Sequence, residues 1–498
     1  MLSRLKNVVA NQSSKNGKRK IELTDTTFRD AQQCLWATRM STEHMLPVAR
    51  FLDEAGFGTL ECMGLVQYDG SALFLKQNPL ERLRLLRQRV NRTPIRVAVR
   101  SNMLRGFSPV APDVTNFYVE RQVANGAREI MFLESLHDWD NVEQSVRTAK
   151  NLGVATTIIV LYNLAPGYDE EYYAQISSEA VKRFDVDKIL FYDAGGILTP
   201  ERTRALIPVI KAAIGNVALE FTTHCLTGLG PLVAIEAAVA GADSVVTAVE
   251  PLANGGSVPG VQMVARNLRE LGFDVGVDDR CLEEVGAYFR MVASREGKPL
   301  GIAAEYDPRQ YKTQYAGGAL ANMVAQLDAA GIGDRLPEVL DEIAQVRLEL
   351  GSPIMATPFP AIVAAQAVLN VLQGDRYSVV PAEVKKYVCG YYGKLRIPID
   401  TNVVDRVVQN GPREVPQTPP ELEPVMPKLR KRYPSTSDDD LLIRYMYGDE
   451  TFEGLLPAIV EDDFSVQHPM VDIIDQLGKR KRKSYVHVSG EDFSLAAG

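Results

Sequence analysis

The chain has little that would cross-link it, anchor it in a membrane or draw it to nucleic acid. Of its 498 residues five are cysteine, at 34, 62, 225, 281 and 389, and no two form a Cys-x-x-Cys pair. That excludes a disulfide framework and a zinc ribbon, and it fits a reducing cytoplasm. No apolar run approaches the roughly 20 residues needed to cross a bilayer as a helix. The opening MLSRLKNVVANQSSKNGKRK lacks the apolar segment and small-residue cleavage site of a secretory signal, so residues 1–19 read as a flexible leader. An excess of positive charge is also missing. The net charge of -8 opposes whole-molecule attraction to nucleic acid, and the short run Lys479 to Lys483 reads as a solvated tail. What remains is 46% hydrophobic and 24% charged, the balance of an ordinary globular protein long enough for one large catalytic module and at least one more.

Between residues 20 and 250 short apolar, β-branched runs recur, each followed by a segment of helical periodicity. The runs are IELTD (21–25), GTLECM (58–63), IRVAVR (95–100), REIMFL (128–133), ATTIIVLY (155–162), DKILFYD (187–193), VALEFTTH (217–224) and DSVVTAV (243–249). Their starts lie about 26 to 37 residues apart, the length of a strand, a helix and two short loops. Eight such units in about 250 residues predict an α/β fold of the TIM (β/α)8 barrel type. A doubly wound sheet is the competing architecture, but no Gly-x-Gly-x-x-Gly follows the first run. The first helical segment supports either reading, with Ser41 as N-cap, Glu43 in the first turn and Gly56 beyond the end.

A barrel carries its chemistry at the C-terminal ends of its strands. Those ends hold Asp25, Arg29 and Asp30 after strand one, Glu61 in strand two, Arg100 after strand three, Tyr192 and Asp193 in strand six, and Thr222 and His224 in strand seven. Alternation along a strand puts Glu220, Thr222 and His224 on one face, directed at the barrel mouth. Beyond residue 300 the pattern turns helical, in GGALANMVAQLDAAG, LPEVLDEIAQVRLELG and FPAIVAAQAVLNVLQG. The expected organisation is a barrel over 20–300, a mostly helical C-terminal domain over 301–410, a proline-rich linker over 411–427, and a C-terminal segment with a polar tail over 428–498.

Several blocks taken together resemble the biotin-dependent carboxyltransferase family, which includes the transcarboxylase 5S subunit, the pyruvate carboxylase carboxyltransferase domain and the oxaloacetate decarboxylase alpha subunit. They are DTTFRDAQQCLWATRM (25–40), NPLERLRLLR (78–87), VRSNMLRGF (99–107), QYAGGALANMVAQL (314–327), TPFPAIVAAQAVLNV (357–371) and VCGYYG (388–393). The resemblance implies a barrel with a helical funnel domain, where a divalent metal (zinc, cobalt or manganese) stabilises the enolate of a 2-oxo acid while carboxybiotin enters the mouth. It implies metal ligation by Asp30 and His224, and substrate-side or catalytic roles for Arg29, Gln33, Arg100, Tyr192 and Ser257. The chain has no Met-Lys-Met attachment signature and no evident ATP-grasp portion. Biotin is therefore expected on a separate biotin carboxyl carrier protein, charged by a biotin carboxylase subunit. A homodimer is expected by resemblance.

The family pattern is altered at three places. Its carbamylated lysine falls at Tyr192, the first histidine of its His-x-His at Thr222, and its proton-shuttling threonine aligns with Gly256, beside Ser257. Asp30 and His224 alone are two ligands where an ion normally takes three or four. Glu61 and Glu220 are possible replacements, whereas Cys225 faces the far side of an ideal strand. Two other readings stay open: a metal-independent barrel lyase or decarboxylase, and a non-catalytic assembly subunit of a carboxylase complex.

Overall fold

Each β-branched run forms a strand, because branched and aromatic side chains fit a pleated surface that is buried on both faces. In the computed structural model, which describes residues 18–315, 319–320, 323–324, 327–328, 331–459, 486–490 and 493–497, the strands are β1 (Glu22–Asp25), β2 (Thr59–Met63), β3 (Ile95–Arg100), β4 (Glu129–Leu133), β5 (Ala155–Leu161), β6 (Lys188–Asp193), β7 (Ala218–Thr223) and β8 (Ser244–Thr247). They pair in chain order, all parallel, and β8 closes on β1 with Thr24 opposite Val246. The expected barrel is the observed one.

One principal helix follows each strand: α1 (Thr42–Glu54), α2 (Pro79–Arg89), α3 (Pro112–Ala124), α4 (Glu143–Asn151), α5 (Glu170–Phe184), α6 (Pro200–Ile214), α7 (Gly230–Ala240) and α8 (Val261–Leu271). Their starts follow from capping chemistry. Ser41 and His44 form a reciprocal capping box on α1, Asn78 and Asp169 accept first-turn N–H groups of α2 and α5, and Thr199 does so for α6. Proline in the first turn of α2, α3 and α6 removes a donor that would have no partner.

The barrel interior is polar. Arg96 of β3 is fully buried; its Nη1 donates to Glu61 Oε1 of β2 (3.1 Å) and Glu220 Oε2 of β7 (2.5 Å), and its Nε to Glu129 Oε1 of β4 (2.8 Å). Lys188 of β6 lies 3.5 Å from Glu129 and 3.8 Å from Glu220. Thr24 of β1 donates to Glu220, Thr59 of β2 and Thr157 of β5 to Glu129, and Ser244 of β8 to Glu220. All eight strands thus contribute to one layer of hydrogen bonds and ion pairs. Glu61 and Glu220, expected as possible metal ligands, are instead committed to Arg96.

Beyond the barrel come α9 (Asp279–Glu296), α10 (Leu336–Glu349), α11 (Phe359–Gln373), α12 (Ala382–Val388), α13 (Thr401–Asn410), α14 (Met426–Arg432) and α15 (Asp438–Glu453). The helices α10 to α13 share a core around Ile343, Val346, Phe359, Val363, Tyr387 and Val407, and that core also takes in Met103 and Leu136 from loops after β3 and β4. Polar bonds tie it to the barrel mouth: Arg347 to Asn163 (2.6 Å), Ser135 to the Thr357 carbonyl (2.8 Å) and Tyr392 to the Phe107 carbonyl (2.7 Å). Residues 411–425 contain no helix or strand, whereas Met426 and Pro427, read as linker, begin α14. Separately, β9 (Val486–Gly490) pairs antiparallel with β10 (Phe493–Ala497). Most of the leader and the run from Lys479 to Lys483 lie outside the described residues. Among the described residues no helix is long and apolar enough to cross a membrane.

Burial would raise Glu129 and Glu220, but the adjacent Arg96 charge holds both below their ordinary value of 4.5. Depressed folded values stabilise fully above about pH 4.5, and that stabilisation disappears as the pH falls through them. Arg96→Met, which strands three buried carboxylates, should cost about 3–5 kcal/mol in urea unfolding at pH 7. The loss should shrink towards pH 3; an unchanged midpoint at pH 7 would show that the network contributes nothing.

Candidate active site

The chain leaves β1 through a tight series of side-chain bonds. Asp25 accepts from the Thr27 N–H (3.1 Å) and hydroxyl (2.6 Å), and Thr26 Oγ1 donates to Glu61 (2.5 Å) while accepting from the Asp30 N–H (3.2 Å). The backbone then forms a wide π-turn, Thr27–Ala31, followed by an α-turn, Gln32–Leu35. Positions four apart share a helical face. Arg29 with Gln33, and Asp30 with Cys34, accordingly reach one cavity of about 110 Å³ at the C-terminal end of the barrel.

Across it stand Tyr192 of β6 and His224, just past β7. The His224 backbone N–H donates to the Asp193 carbonyl (3.2 Å), while the Asp193 carboxylate accepts from the Ile197 and Leu198 N–H groups and the Thr223 hydroxyl. Gly196 packs so closely under this corner that a Cβ there would lie 2.6 Å from the His224 carbonyl oxygen, and its φ of +60° also favours glycine.

Asp30, Tyr192 and His224 form a closed triangle. His224 Nε2 lies 2.7 Å from Asp30 Oδ2, and the Tyr192 hydroxyl is 3.2 Å from each. Burial would raise the Asp30 carboxyl, but the Arg29 charge and the bonds from His224 and Tyr192 hold it well below the carboxylate range. Burial and the charge of Asp30 push the Tyr192 hydroxyl well above 10. Tyr192 is therefore a neutral donor to Asp30 at neutral pH, not a phenolate. Cys34 Sγ lies 4.0 Å from the other Asp30 oxygen. His224 Nδ1 is buried with no partner.

Arg100 is the cation on the opposite wall. It is 6% exposed, one Nη donates to the Gly106 carbonyl (3.2 Å), and its Nε has no partner. Arg29, by contrast, is already paired with Glu61 (2.7 Å). Gln33 accepts from Gln67 (3.2 Å), which leaves its amide N–H groups for a ligand. Above, a larger cavity of about 740 Å³ shares Gln33, Arg100, Ala319, Thr357 and Pro360 with the small one and is walled by Tyr315, Ala364 and Val368 of the helical part.

Of the residues expected at the site, Arg29, Asp30, Gln33, Arg100, Tyr192 and His224 line this one cavity. Ser257 does not: it is fully buried, its carbonyl accepts from the Cys225 N–H (2.9 Å) and its hydroxyl has no partner. The aliphatic hydroxyl in the lining is that of Thr357. Thr357 and Cys34 were not singled out from sequence. The four-residue step from Asp30 was a signal for Cys34; no local signal marks Thr357, whose place depends on docking of the helices after residue 300.

A family model described as "HMGL-like" matches residues 20–288, and one described as "Conserved carboxylase domain" matches 311–466. The chain is 34% identical over 433 residues to a pyruvate carboxylase subunit of Methanocaldococcus jannaschii, covering 86% of this chain and 76% of that protein. It belongs to the biotin-dependent carboxyltransferase family. Other relatives of this carboxyltransferase are the 2-oxoglutarate carboxylase large subunit of Hydrogenobacter thermophilus (32% over 395 residues; 79% of this chain, 60% of that one) and the methylmalonyl-CoA carboxyltransferase 5S subunit of Propionibacterium freudenreichii (29% over 408 residues; 82% and 80%). The fold matches the carboxyl transferase domain of Rhizobium etli pyruvate carboxylase solved with pyruvate, with a TM-score of 0.81 at 20% identity over 99% of this chain and 85% of that one. The chain is thus the carboxyltransferase subunit of a biotin-dependent carboxylase.

The donor set of the carboxyltransferase fits a divalent ion. The Asp30 carboxylate and the His224 imidazole stand close enough to share one ion, in a buried pocket with the Tyr192 hydroxyl bonded to both and a thiol beside them. The larger cavity, opening above them, gives room for a biotin head group.

Charge-assisted bonds from one guanidinium are worth about 1.5–3 kcal/mol. Arg100→Ala should therefore weaken binding of oxalate, a small dicarboxylate probe, by more than about tenfold in calorimetry, and Arg100→Lys should recover only part of the loss. Equal affinity in all three proteins would mean that Arg100 does not face the anion.

Proposed function

We propose that this subunit transfers a carboxyl group between carboxybiotin on a separate carrier protein and a small 2-oxo acid, at the pocket of Asp30, Tyr192, His224 and Arg100. The observation that carries the reading is the convergence, on one buried cavity, of a carboxylate–imidazole pair and a guanidinium whose Nε is unpartnered. The larger cavity above them joins the pocket to the helical part, which supports entry of biotin from that side. Partners in this reading are a biotin carboxyl carrier protein and a biotin carboxylase subunit, with a homodimer inferred from the resemblance alone. Five cysteines outside any disulfide support a cytoplasmic setting. The division of labour is a catalytic barrel over 20–300 and a helical cap over 301–410, joined through 411–425 to α14 and the segment after it.

Arg100 and the Gln33 amide hold the acceptor's carboxylate and keto oxygen, and burial strengthens both contacts. Arg29 keeps Asp30 ionised and turned toward His224. A divalent ion held by Asp30 and His224 would supply Lewis-acid stabilisation of the enolate oxygen. In transfer to the acceptor, the bond between the ureido nitrogen and the carboxyl carbon breaks. The nitrogen takes up the proton leaving the acceptor's carbon, and that carbon bonds to the carboxyl group, so the protons balance. The Thr357 hydroxyl, at the junction of the two cavities, can carry this proton. A dry pocket slows loss of the carboxyl group to water.

One observation favours a second reading. The hydrogen-bonded triangle of Asp30, Tyr192 and His224 is complete without an ion, as metal-independent acid–base work in a lyase or decarboxylase would require.

Radiolabelled carboxyl exchange between a carboxybiotinylated carrier and pyruvate or 2-oxoglutarate decides between them. Asp30→Ala and His224→Ala should each lower kcat by about 10²–10³-fold, and chelation should abolish exchange. Turnover of an oxo acid that survives chelation and needs no carrier would establish the second reading.

A further inference from the structure

We propose that Cys34 is a metal ligand, forming with Asp30 and His224 a three-residue site for a thiophilic divalent ion of the zinc or cobalt class. This rests on the reading that an ion is held at the pocket, and it identifies the third ligand and the kind of ion. Among the described residues, Asp30, Cys34 and His224 are the grouping of His, Cys, Asp or Glu whose ligand atoms converge, all within 4.8 Å of one another. None exceeds 6% exposure, and all three line the small cavity together with Arg100 and Gln33.

The local backbone explains the convergence. Asp30 lies within the π-turn and Cys34 follows one helical turn later on the same face, so both side chains are presented to the end of β7. Cys225, the other cysteine near His224, is not in the grouping; its neighbours are the Gly230 backbone and the Ser257 carbonyl. Glu61 and Glu220 are held by Arg96. Tyr192 donates to Asp30 at 3.2 Å, which makes it a positioning residue that orients a ligand carboxylate.

Ligand chemistry then selects the ion. Carboxylate with imidazole serves magnesium or manganese as well as zinc, but a thiolate favours zinc and cobalt over both. Three protein ligands and one position open to water or substrate are the arrangement of catalytic zinc sites. On binding, the Cys34 thiol loses its proton to water and ligates as thiolate; no oxidant or reductant is involved.

The test is cobalt(II) titration of the full chain, stripped of metal, followed by absorption and elemental analysis. Wild type should bind one ion with a thiolate-to-cobalt charge-transfer band in the near ultraviolet and should prefer zinc to manganese. Cys34→Ser and Cys34→Ala should lose the band, weaken cobalt binding by more than about tenfold and lose the preference, with near-ultraviolet circular dichroism unchanged. Cys225→Ser should retain all three properties. Stoichiometric cobalt without the band in wild type, or a band lost only in Cys225→Ser, overturns the role of Cys34 and leaves the metal-dependent reading standing. Failure of wild type to bind cobalt or zinc overturns both.

Discussion

The contact on which the rest depends is the burial of Arg96 among Glu61, Glu129 and Glu220. A guanidinium and three carboxylates withdrawn from water are costly unless each lone pair and N–H group finds a partner. Here the partners come from every strand of the barrel, so a shift of one strand would expose an uncompensated charge. That gives the barrel its register by a route other than the branched aliphatic layers that commonly fill such interiors. The same layer places the site. Glu61 accepts from Arg96 on one side and from Arg29 and Thr26 on the other, and Thr26 also takes the Asp30 N–H. The position of Asp30 is thus set from beneath by charge, not only by the turn in which it lies.

The barrel was legible in sequence because its signal is local and repeated: eight branched runs, each followed by a helix, with side-chain caps at the starts of α1, α2, α5 and α6. The residues around Asp30 were legible for a similar reason, since Arg29, Asp30, Gln33 and the ends of β3, β6 and β7 all belong to strand termini that the fold gathers at one rim. The polar core was not. Arg96 looks like any charged residue in a strand, and only closure of the sheet shows that its three partners, 33, 35 and 124 residues away in sequence, meet it.

The same limit explains the two errors of assignment at the mouth. Alternation placed Glu220 and His224 on one face of β7, and both do point inward, but four residues along a strand is a separation of about 13 Å. Glu220 therefore lies at the depth of Arg96 while His224 lies at the rim. Ser257 follows β8 in a loop that turns its hydroxyl into protein, whereas Thr357 reaches the cavity from about 100 residues further on. A hydroxyl's place in a cleft between two structural units depends on their docking, which periodicity does not encode.

Charge inside the barrel then gives the site a direction. On the side of β1 and β7 the carboxylate of Asp30 faces the cavity, held by Arg29 and His224, and beneath it Glu61, Glu129 and Glu220 are paired with Arg96 and Lys188; Asp25, pushed up to about 7 by burial, lies on the same side. Arg100 stands across the cavity with its Nε unpartnered. In a medium of low dielectric this separation is worth far more than in water. In the proposed reaction a divalent cation would be drawn to one wall and an anionic acceptor to the other, so an acceptor held by its carboxylate at Arg100 would extend its keto oxygen toward Asp30 and His224. By the family resemblance Tyr192 stands where a carbamylated, anionic lysine would, so the tyrosine removes one negative charge from this wall, while Asp30 still supplies one. The carboxylate of Asp30 on one wall and the guanidinium of Arg100 on the other still set the direction of the field across the cavity.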